Sequence, residues 1–536
     1  MTARAWYSPG RVRGQITELS GWRLALLLLV TGAVSSLAMA PLYAWPLLIP
    51  GLGILLWTVD GARGTSCPLR AAFWRGLLFG FGYFLAGMFW LAYAFITRGP
   101  DFIFLIPFAV PALAALLAAF WGGAMVSYAA LAQRSEWRVL VFAVSIAVFE
   151  WLRGHVFGGL PWNMPAYAWP AGGPMSQTAS VFGVYGLSFL TVLMLVTPAL
   201  VVGSAITVRR VMPVLAGMFI FLSLFTFGVL RLGMPDPGIE PGVRLRIVQA
   251  GLTQEEKWGE GGVELARDRY LALTAAPGLD EVTHILWPEG ALPTYMLEDD
   301  GQTLSLIGEM FSHDQVLIAG ITRRAVEDEG ELYYNALAVL RYQGGTPRLV
   351  GLYDKVLLAP FGESIPLSGL LSAIGLSEFT RLQFTPGPGP VVMEIPGAPS
   401  MMPLICYEGI FPDFVRSGAP RPAWMFNLSN DAWFGDTSGP RQHVNQARYR
   451  SIETGVPMIR AAARGVSGVI DAVGRMPVVI DPQAEGAFDV DLPRPIAATL
   501  YSLWGDLPFW IVCLVTLAGI VFQRRKVFAS YFKLRP

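Results

Sequence analysis

A chain of 536 residues with 15% charged residues and a mean hydropathy of +0.49 is too apolar for a soluble globular protein, in which about 25% of residues are charged. Lysine plus arginine equals aspartate plus glutamate at 39 each, so the composition does not favour nucleic acid as a partner. Three scattered cysteines argue against a disulfide framework. The four histidines lack metal-ligand spacing and no glycine-rich phosphate loop occurs, so we predict no metal and no other cofactor.

The first 235 residues contain a series of apolar stretches long enough to cross a bilayer. No charged residue occurs from Leu24 to Val59, which is enough for two helices broken near Pro41, since one span needs about 20 residues. Further spans are predicted at about 71–97, 102–132, 138–153, 182–204, 211–231 and 502–523. We therefore predict an N-terminal membrane domain at 1–235 with seven transmembrane helices, and a C-terminal transmembrane helix with a cytoplasmic tail at 500–536.

The positively charged residues between the spans indicate the orientation of the chain. Connections on one side of the membrane carry nearly all of them: Arg4, Arg11, Arg13, Arg63, Arg70, Arg134, Arg138, Arg209, Arg210, Arg524, Arg525 and Lys526. The opposite connections hold only Arg98 and Arg153. Because positive residues are retained on the cytoplasmic side, both termini are predicted to be cytoplasmic. The segment between the seventh and eighth spans is then predicted to be periplasmic.

The segment at 240–492 is rich in charge and alternates short runs of β-type residues with helical stretches. The predicted strands include Val243–Gln249, Thr283–Trp287, Arg348–Tyr353, Met401–Cys406 and Trp424–Ser429, and the predicted helices include Gly262–Ala275 and Arg441–Thr454. Strands interleaved with helices are typical of a layered α/β domain. About 250 residues are enough for one sizeable core.

Three of these strands end beside a chemically reactive side chain. Glu289 follows the strand at 283–287, Lys355 follows the strand at 348–353, and Cys406 ends the strand at 401–406. Because sites in α/β layers gather at the carboxyl ends of strands, these side chains are expected to lie close together. The carboxylate can take the thiol proton, and the ammonium can stabilise an oxyanion. The ammonium and nearby helix N–H groups should lower the pKa of Cys406, so a resting thiolate is predicted.

Other polar residues have simpler interpretations. A lone cysteine is most often a small buried apolar residue, and only the two partners above argue otherwise for Cys406. His443 is predicted at a surface position of a helix, with approach to the site as the alternative. Asp431, which follows a strand, either lines the site or forms the turn. Glu150 and Arg153 lie at a span end and are interpreted as a local ion pair or as snorkelling side chains.

The glutamate, the lysine and the cysteine, together with their neighbours, resemble the catalytic set of the nitrilase superfamily. The resemblance rests on four motifs: Trp287-Pro288-Glu289, Asp354-Lys355, Pro360-Phe361-Gly362-Glu363 and Ile405-Cys406-Tyr407-Glu408. Seven spans before this segment and one after it are similar to a membrane-embedded branch of that superfamily, the apolipoprotein N-acyltransferase family. Two segments after the fifth predicted span add to the resemblance: Trp151-Leu152-Arg153-Gly154 and Leu160-Pro161-Trp162-Asn163.

The resemblance implies a fold and a set of site residues. The fold is a polytopic α-helical membrane domain of about eight spans with a periplasmic, nitrilase-like α-β-β-α sandwich at 240–492. The catalytic residues are a Glu-Lys-Cys triad, in which Cys406 is the nucleophile, Glu289 the general base and Lys355 the oxyanion-stabilising cation. Supporting and substrate-binding positions that match the family are Glu363, Trp258, Asn335, Tyr407 and Glu408.

The resemblance also implies a reaction in a bacterial inner membrane, the last step of lipoprotein maturation. Cys406 accepts an acyl chain from a phospholipid, typically phosphatidylethanolamine, as a thioester. The α-amine of the diacylglyceryl-cysteine at a lipoprotein's N-terminus then accepts the acyl chain in a ping-pong reaction. The alternative is a membrane-anchored amidase or nitrilase-type hydrolase that uses water as the acceptor.

Three further expectations concern function class, assembly and access to the site. A transporter or receptor with an outer binding domain is disfavoured, because charged residues deep in the spans are scarce. A monomer is expected. The stretch Pro366–Leu376 is predicted to be an amphipathic helix, either a lid at the membrane interface or a helix packed on the sheet.

Overall fold

The computed structural model describes residues 9–133, 135–202, 205–311, 314–327, 330–360, 362–364, 383–416 and 420–533. The chain forms two compact units. One comprises Met1–Met234 with Leu500–Pro536, and the other comprises Pro235–Thr499. The helix predicted at Pro366–Leu376 lies outside the described residues.

The first unit is built from α-helices. In the described part of the chain they are Pro9–Glu18, Gly21–Ser35, Leu48–Gly61, Pro68–Gly87, Leu91–Arg98, Ile106–Leu131, Arg138–His155, Ala179–Val196, Val208–Leu232, Leu500–Trp504 and Leu507–Lys533.

The length and apolar character of these helices agree with the predicted spans. Six helical segments of the described chain are long and apolar enough to cross a membrane: Gly21–Ala38, Trp45–Gly64, Pro100–Leu131, Arg138–Gly158, Met175–Leu200 and Val208–Leu232. Pro68–Gly87 and Leu91–Arg98 form a pair bent by 50°, which gives seven if the pair is one span. Leu507–Phe522 is a shorter apolar helix at the position of the last predicted span. The predicted polytopic helical domain is therefore confirmed.

Glycines allow two helices of this unit to approach closely. A side chain at Gly32 would collide with the backbone of Phe79, and one at Gly82 would collide with the backbone of Leu29. The two glycines lie on the helices Gly21–Ser35 and Pro68–Gly87, so each helix presents a glycine to the backbone of the other. Small residues at such crossings are typical of membrane helices, in which packing rather than the hydrophobic effect drives association.

The ion pair predicted between Glu150 and Arg153 is present. Both side chains are fully buried and bonded to each other, so they do not snorkel. The indole N–H of Trp121 donates to Glu150 at 2.5 Å, and the Arg153 guanidinium lies 4.9 Å from the ring of Phe84 and donates to the carbonyl of Leu160. A buried charge pair requires such additional partners, because each ion has lost its hydration.

In the described residues of the second unit, the strands form two six-stranded sheets. The strands of the first sheet are β1 (Ile239–Gln249), β2 (His284–Trp287), β3 (Val316–Glu327), β4 (Gly330–Gln343), β5 (Thr346–Asp354) and β12 (Gly486–Pro493). Those of the second are β6 (Met393–Ile395), β7 (Ala398–Ile405), β8 (Trp424–Ser429), β9 (Met458–Ala462), β10 (Ser467–Ile470) and β11 (Val478–Ile480).

The strand order is β12-β1-β2-β3-β4-β5 in the first sheet and β11-β10-β9-β8-β7-β6 in the second. The inner pairs β1–β2, β2–β3, β7–β8 and β8–β9 are parallel, and the outer pairs are antiparallel. Parallel strands end at the same edge of a sheet, which is where the reactive residues were predicted to gather.

The two sheets pack face to face around one apolar core. Leu286 of β2, Ile405 of β7 and Phe426 of β8 belong to this core, whereas Ile285 and Trp287 belong to a second cluster on the other face of the first sheet. This alternation follows from the two-residue period of a strand. The helices Gly262–Thr274 and Gly301–Met310 complete the second cluster.

A helix also covers the outer face of the second sheet. Within β9, Ile459 and Ala461 face the core between the sheets, so Arg460 points outward. There Arg460 lies 3.2 Å from His443 of the buried helix Gly439–Thr454. The order of layers is therefore helix, sheet, sheet, helix, and the predicted α-β-β-α sandwich is confirmed.

Candidate active site

The side chains of Glu289, Lys355 and Cys406 come together at the ends of three strands. Glu289 lies two residues after β2, Lys355 directly follows β5, and Cys406 directly follows β7. Nζ of Lys355 lies 3.3 Å from Oε1 of Glu289. Both groups act electrostatically on the thiol of Cys406, which packs against the edge of the core between the sheets. The proximity expected from the strand ends is therefore present.

Glu363 and Asn335 complete a polar cluster around Lys355. The Glu363 carboxylate lies 2.8 Å from Nζ of Lys355 and also accepts the backbone N–H of Ala359 at 2.8 Å. Nδ2 of Asn335 donates to both Glu363 and Glu289 at 2.7 Å. Burial acts to lower the pKa of Lys355, but the carboxylates of Glu363 and Glu289 outweigh it, and the pKa lies above its ordinary value. Lys355 is therefore an ammonium at neutral pH.

The carboxylate of Glu289 is held in one orientation. Besides the contacts of Oε1 with Lys355 and Asn335, Oε2 accepts the backbone N–H of Asn430 at 2.7 Å. The side chain is buried, so water does not compete freely for these donors. A fixed, desolvated carboxylate beside a thiol can act as a general base.

Cys406 occupies a strained backbone position and does not rest as a thiolate. Its φ is +48°, a region that costs a non-glycine residue about 1–3 kcal/mol. Burial raises the pKa of the thiol, Glu289 raises it further, and Lys355 opposes them only in part, so the pKa lies above its ordinary value. The predicted resting thiolate is wrong. The helical element after the cysteine is one short 3₁₀ turn, Cys406–Ile410, whose N–H groups offer too little positive potential to offset burial.

The raised pKa predicts the pH dependence of Cys406 alkylation. The rate with iodoacetamide should rise about tenfold per pH unit up to about pH 9, because the reactive thiolate fraction grows tenfold per unit below the pKa. The measurement is peptide mass spectrometry after timed alkylation. Glu289→Gln is the matched control: it removes a negative charge that raises the pKa, so its profile should shift to lower pH. A parent rate that is already level between about pH 6 and pH 8 would contradict a resting thiol.

Glu408 joins the loop after β5 to the loop after β7. Its buried carboxylate accepts the hydroxyl of Tyr353 at 2.8 Å, the backbone N–H of Val356 at 2.7 Å and that of Ile405 at 2.7 Å. Burial raises the pKa of Glu408 to about 7, and these donors act against that rise. The loops that carry the lysine and the cysteine are thus held together through one side chain.

Two of the predicted positions, Trp258 and Tyr407, have contacts with residues outside this cluster. Trp258 ends the helix Gln254–Trp258, is 66% exposed, and donates its indole N–H to the side chain of Gln254 at 2.9 Å. The ring of Tyr407 packs edge-on against Phe411 with centroids 4.9 Å apart. In the described part of the chain, Trp258 makes no hydrogen bond to the cluster around Lys355.

A second polar network lies next to Cys406, and the predicted surface position of His443 is wrong. His443 is 1% exposed, with Nε2 3.2 Å from the carbonyl oxygen of Cys406 and Nδ1 2.9 Å from Oδ1 of Asp431. Arg460 donates to Oδ2 of Asp431 at 2.7 Å. Sγ of Cys406 and one atom each of Asp431 and His443 lie within 4.8 Å of one another, a spacing that a metal ion could use. Because the Arg460 guanidinium already neutralises Asp431 and repels a cation, we interpret the cluster as a hydrogen-bond network.

The comparison with known proteins supplies the family. Residues 31–197 match the apolipoprotein N-acyltransferase N-terminal domain, and residues 253–499 match the carbon-nitrogen hydrolase family. The apolipoprotein N-acyltransferase of Rhodopseudomonas palustris is 36% identical over 98% of this chain and 99% of its own. That of Caulobacter vibrioides is 38% identical over 94% of this chain and 95% of its own. The chain belongs to the apolipoprotein N-acyltransferase family.

Membership of the apolipoprotein N-acyltransferase family confirms the resemblance predicted from the motifs. The chain is an acyltransferase of the nitrilase superfamily and a multi-pass protein of a bacterial inner membrane. A solved structure of a nitrilase-superfamily amidase from Nesterenkonia AN1 is 18% identical, with a TM-score of 0.32 over 47% of this chain and 92% of the amidase chain.

In this member of the apolipoprotein N-acyltransferase family, one buried lysine beside the site was not predicted from the sequence. Lys257 is 7% exposed and donates from Nζ to the carbonyl oxygen of Gly290, next to Glu289 in the chain. Burial lowers the pKa of Lys257 to about 8, with Glu289 opposing the shift. In sequence it follows two glutamates in a short helix, which is the pattern of a solvent-exposed turn.

Proposed function

We propose that this protein transfers an acyl chain from a phospholipid, by way of a thioester on Cys406, to the α-amine of the N-terminal diacylglyceryl-cysteine of lipoproteins. The observation that carries the proposal is the Lys355 ammonium, held between Glu289 and Glu363 beside the thiol of Cys406. A base, a cation and a nucleophile gathered at one site are the groups that acyl transfer requires.

In the first half-reaction, Sγ of Cys406 forms a bond to the carbonyl carbon of a phospholipid ester, and the thiol proton passes to Glu289. Lys355 stabilises the oxyanion of the tetrahedral intermediate. The bond between the carbonyl carbon and the glycerol oxygen then breaks, and the leaving oxygen takes the proton from Glu289. A lysophospholipid departs, and Cys406 remains as a thioester. Phosphatidylethanolamine is the donor that we propose.

In the second half-reaction, the neutral α-amine of the acceptor attacks the thioester carbonyl. Glu289 takes a proton from the attacking nitrogen, and Lys355 again stabilises the oxyanion. The carbon–sulfur bond breaks, the sulfur takes the proton from Glu289, and an amide leaves the site. The enzyme returns to its starting state, which makes the reaction ping-pong.

The supporting residues receive roles consistent with their contacts. Glu363 and Asn335 fix the positions of the Lys355 ammonium and the Glu289 carboxylate through hydrogen bonds. Glu408 fixes the distance between the two loops. We propose that Trp258 and Tyr407 contact the lipid substrates, since an aromatic side chain such as the exposed indole of Trp258 suits a lipid chain near a membrane interface.

We also propose that the catalytic unit is periplasmic and that both termini are cytoplasmic. The support is the positive-inside pattern, in which connections on one side carry pairs such as Arg63 with Arg70 and Arg209 with Arg210. Diacylglyceryl-lipoproteins and phospholipids both keep their acyl chains in the bilayer, so a multi-pass protein suits them better than it suits a hydrolase that uses water as the acceptor.

Discharge of the thioester distinguishes acyl transfer from the amidase-type alternative. The purified protein is first loaded with phosphatidylethanolamine, and a diacylglyceryl-cysteine peptide is then added. We expect a triacylated peptide to appear as the thioester disappears. The matched control is the same peptide with its α-amine acetylated, which cannot accept the chain and should leave the thioester intact. Free fatty acid as the sole product with both peptides would favour the hydrolase.

A further inference from the structure

The strained backbone of Cys406 is contacted by a side chain outside the proposed triad. A φ of +48° at a non-glycine residue persists only where the surroundings hold it. Nε2 of His443 lies 3.2 Å from the carbonyl oxygen of Cys406. A carbonyl oxygen only accepts hydrogen bonds, so this contact is made by a proton on Nε2. The imidazole therefore holds the peptide group that leaves the strained residue.

The sulfur of the same cysteine is held by a second contact. The hydroxyl oxygen of Ser429 lies 3.3 Å from Sγ of Cys406. That hydroxyl donates its one proton to Oδ1 of Asp431 at 2.7 Å, so it presents its oxygen to Sγ. Ser429 is fully buried at the end of β8, so its position is set by the sheet rather than by a flexible loop.

Asp431 connects these two contacts. Its Oδ1 receives the Ser429 hydroxyl and lies 2.9 Å from Nδ1 of His443, while its Oδ2 receives Arg460 at 2.7 Å. Burial acts to raise the pKa of Asp431, but Arg460 and His443 outweigh it and hold the pKa below its usual range. One oxygen of this carboxylate thus anchors both the side chain that holds the backbone of Cys406 and the side chain that contacts its sulfur.

We propose that Asp431, anchored by Arg460, is the centre of a two-point clamp that positions the nucleophile, through His443 on its backbone and through Ser429 on its sulfur. The clamp rests on the proposed function, in which Cys406 is the nucleophile. Its members are positioning residues: His443 and Ser429 contact Cys406, and Asp431 and Arg460 act through them. A displacement of about 1 Å at a nucleophile can lower the rate about 100-fold, so the clamp should control acylation rather than lipid binding.

Two amide substitutions at His443 test the clamp. Glutamine can place an amide N–H near the position of Nε2, and asparagine only near that of Nδ1. We therefore expect His443→Gln to keep thioester formation within about tenfold of the parent, and His443→Asn to lose about 100-fold. The KM for phospholipid should stay within about threefold in both. The measurement is single-turnover acylation of Cys406 over a range of phosphatidylethanolamine concentrations, with the thermal midpoint recorded for each variant.

His284 provides the matched control for the loss of a buried histidine. Its Nδ1 lies 2.8 Å from the hydroxyl of Thr283 and its Nε2 lies 2.9 Å from the carbonyl oxygen of Pro396, so it has the same kind of contacts elsewhere in this unit. His284→Gln and His284→Asn should lower the thermal midpoint and leave acylation by the folded protein within about threefold of the parent. If the two His443 variants lost acylation equally, and the losses only followed the fall in their thermal midpoints, the clamp would be overturned.

Iodoacetamide separates failure of the clamp from failure of the proposed function. Alkylation needs the thiol of Cys406 but no lipid substrate. If the parent is alkylated and never acylated, the acyl-transfer proposal fails, and the clamp is then decided by the alkylation rates. The clamp predicts that the parent and His443→Gln react at rates within about threefold and that His443→Asn differs from both by about tenfold or more. Identical rates for all three proteins would overturn it.

Discussion

Replacing Cys406 with serine is expected to lower the rate of acyl transfer by about 10⁴-fold or more, the largest effect of any single substitution in the site. A serine hydroxyl is a far weaker acid than a thiol, and a carboxylate such as Glu289 is too weak a base to deprotonate it. Serine is also close to cysteine in size, so the loss reports the chemistry of the nucleophile rather than its packing. The measurement is the rate at which a diacylglyceryl-cysteine peptide becomes triacylated in the presence of phosphatidylethanolamine.

The other two cysteines supply the controls for this experiment. Cys67 is exposed and Cys513 is buried in the helix Leu507–Lys533. Cys67→Ser and Cys513→Ala should each keep activity within about threefold of the parent. If Cys406→Ser retained more than about one hundredth of the parent rate while both controls were unchanged, the thiol would not be the nucleophile.

Replacing Lys355 with methionine is expected to affect both activity and stability. Methionine fills much of the same volume without the charge. Acylation should fall about 10³-fold because the oxyanion loses its cation. The free energy of unfolding should fall by about 3–5 kcal/mol, because the buried carboxylates of Glu289 and Glu363 are left without their shared partner. Single-turnover acylation and thermal unfolding measure the two effects separately.

A double substitution separates these two consequences. Adding Glu363→Gln to Lys355→Met removes one of the two unpaired carboxylates and leaves an amide whose single oxygen can accept either the side-chain amide of Asn335 or the backbone N–H of Ala359. We expect the thermal midpoint to recover in part and acylation to stay about 10³-fold below the parent. Recovery of acylation together with stability would mean that Lys355 is a structural cation and not an oxyanion partner.

The fold was predictable from the sequence where the types of residues and their spacing along the chain determine the structure. The spans follow from uninterrupted apolar stretches, because the bilayer demands about 20 such residues. The meeting of Glu289 and Lys355 follows from their places at strand ends of one sheet, because β-sheet geometry converts position along a strand into position at an edge. Cys406 ends a strand of the second sheet, so its approach to them also depends on the packing of the two sheets. Glu363 was predicted as a site residue only because its motif resembles that of the family. Its contact with Lys355 depends on the conformation of a loop, which the spacing of residues in the sequence does not determine.

Three features of the site were beyond sequence reasoning for one physical reason, which is burial of polar side chains. The helix Gly439–Thr454 is polar in composition yet buried along nearly its whole length, so His443 had the pattern of a surface residue. Lys257 is likewise buried within a charged stretch. The pKa of Cys406 depends on the balance between burial and Glu289, which raise it, and the Lys355 cation, which lowers it. Such balances depend on distances that residue types do not fix.

The most direct test of the account is the mass of the intact protein after incubation with phosphatidylethanolamine. We expect one added acyl chain, which peptide mapping places on Cys406, with one equivalent of lysophospholipid released. The adduct should be absent from Cys406→Ser and should be removed by neutral hydroxylamine, which cleaves thioesters. Formation of triacylated peptide by a parent protein that never carries the adduct, even when the acceptor is withheld, would contradict a covalent acyl-enzyme on Cys406.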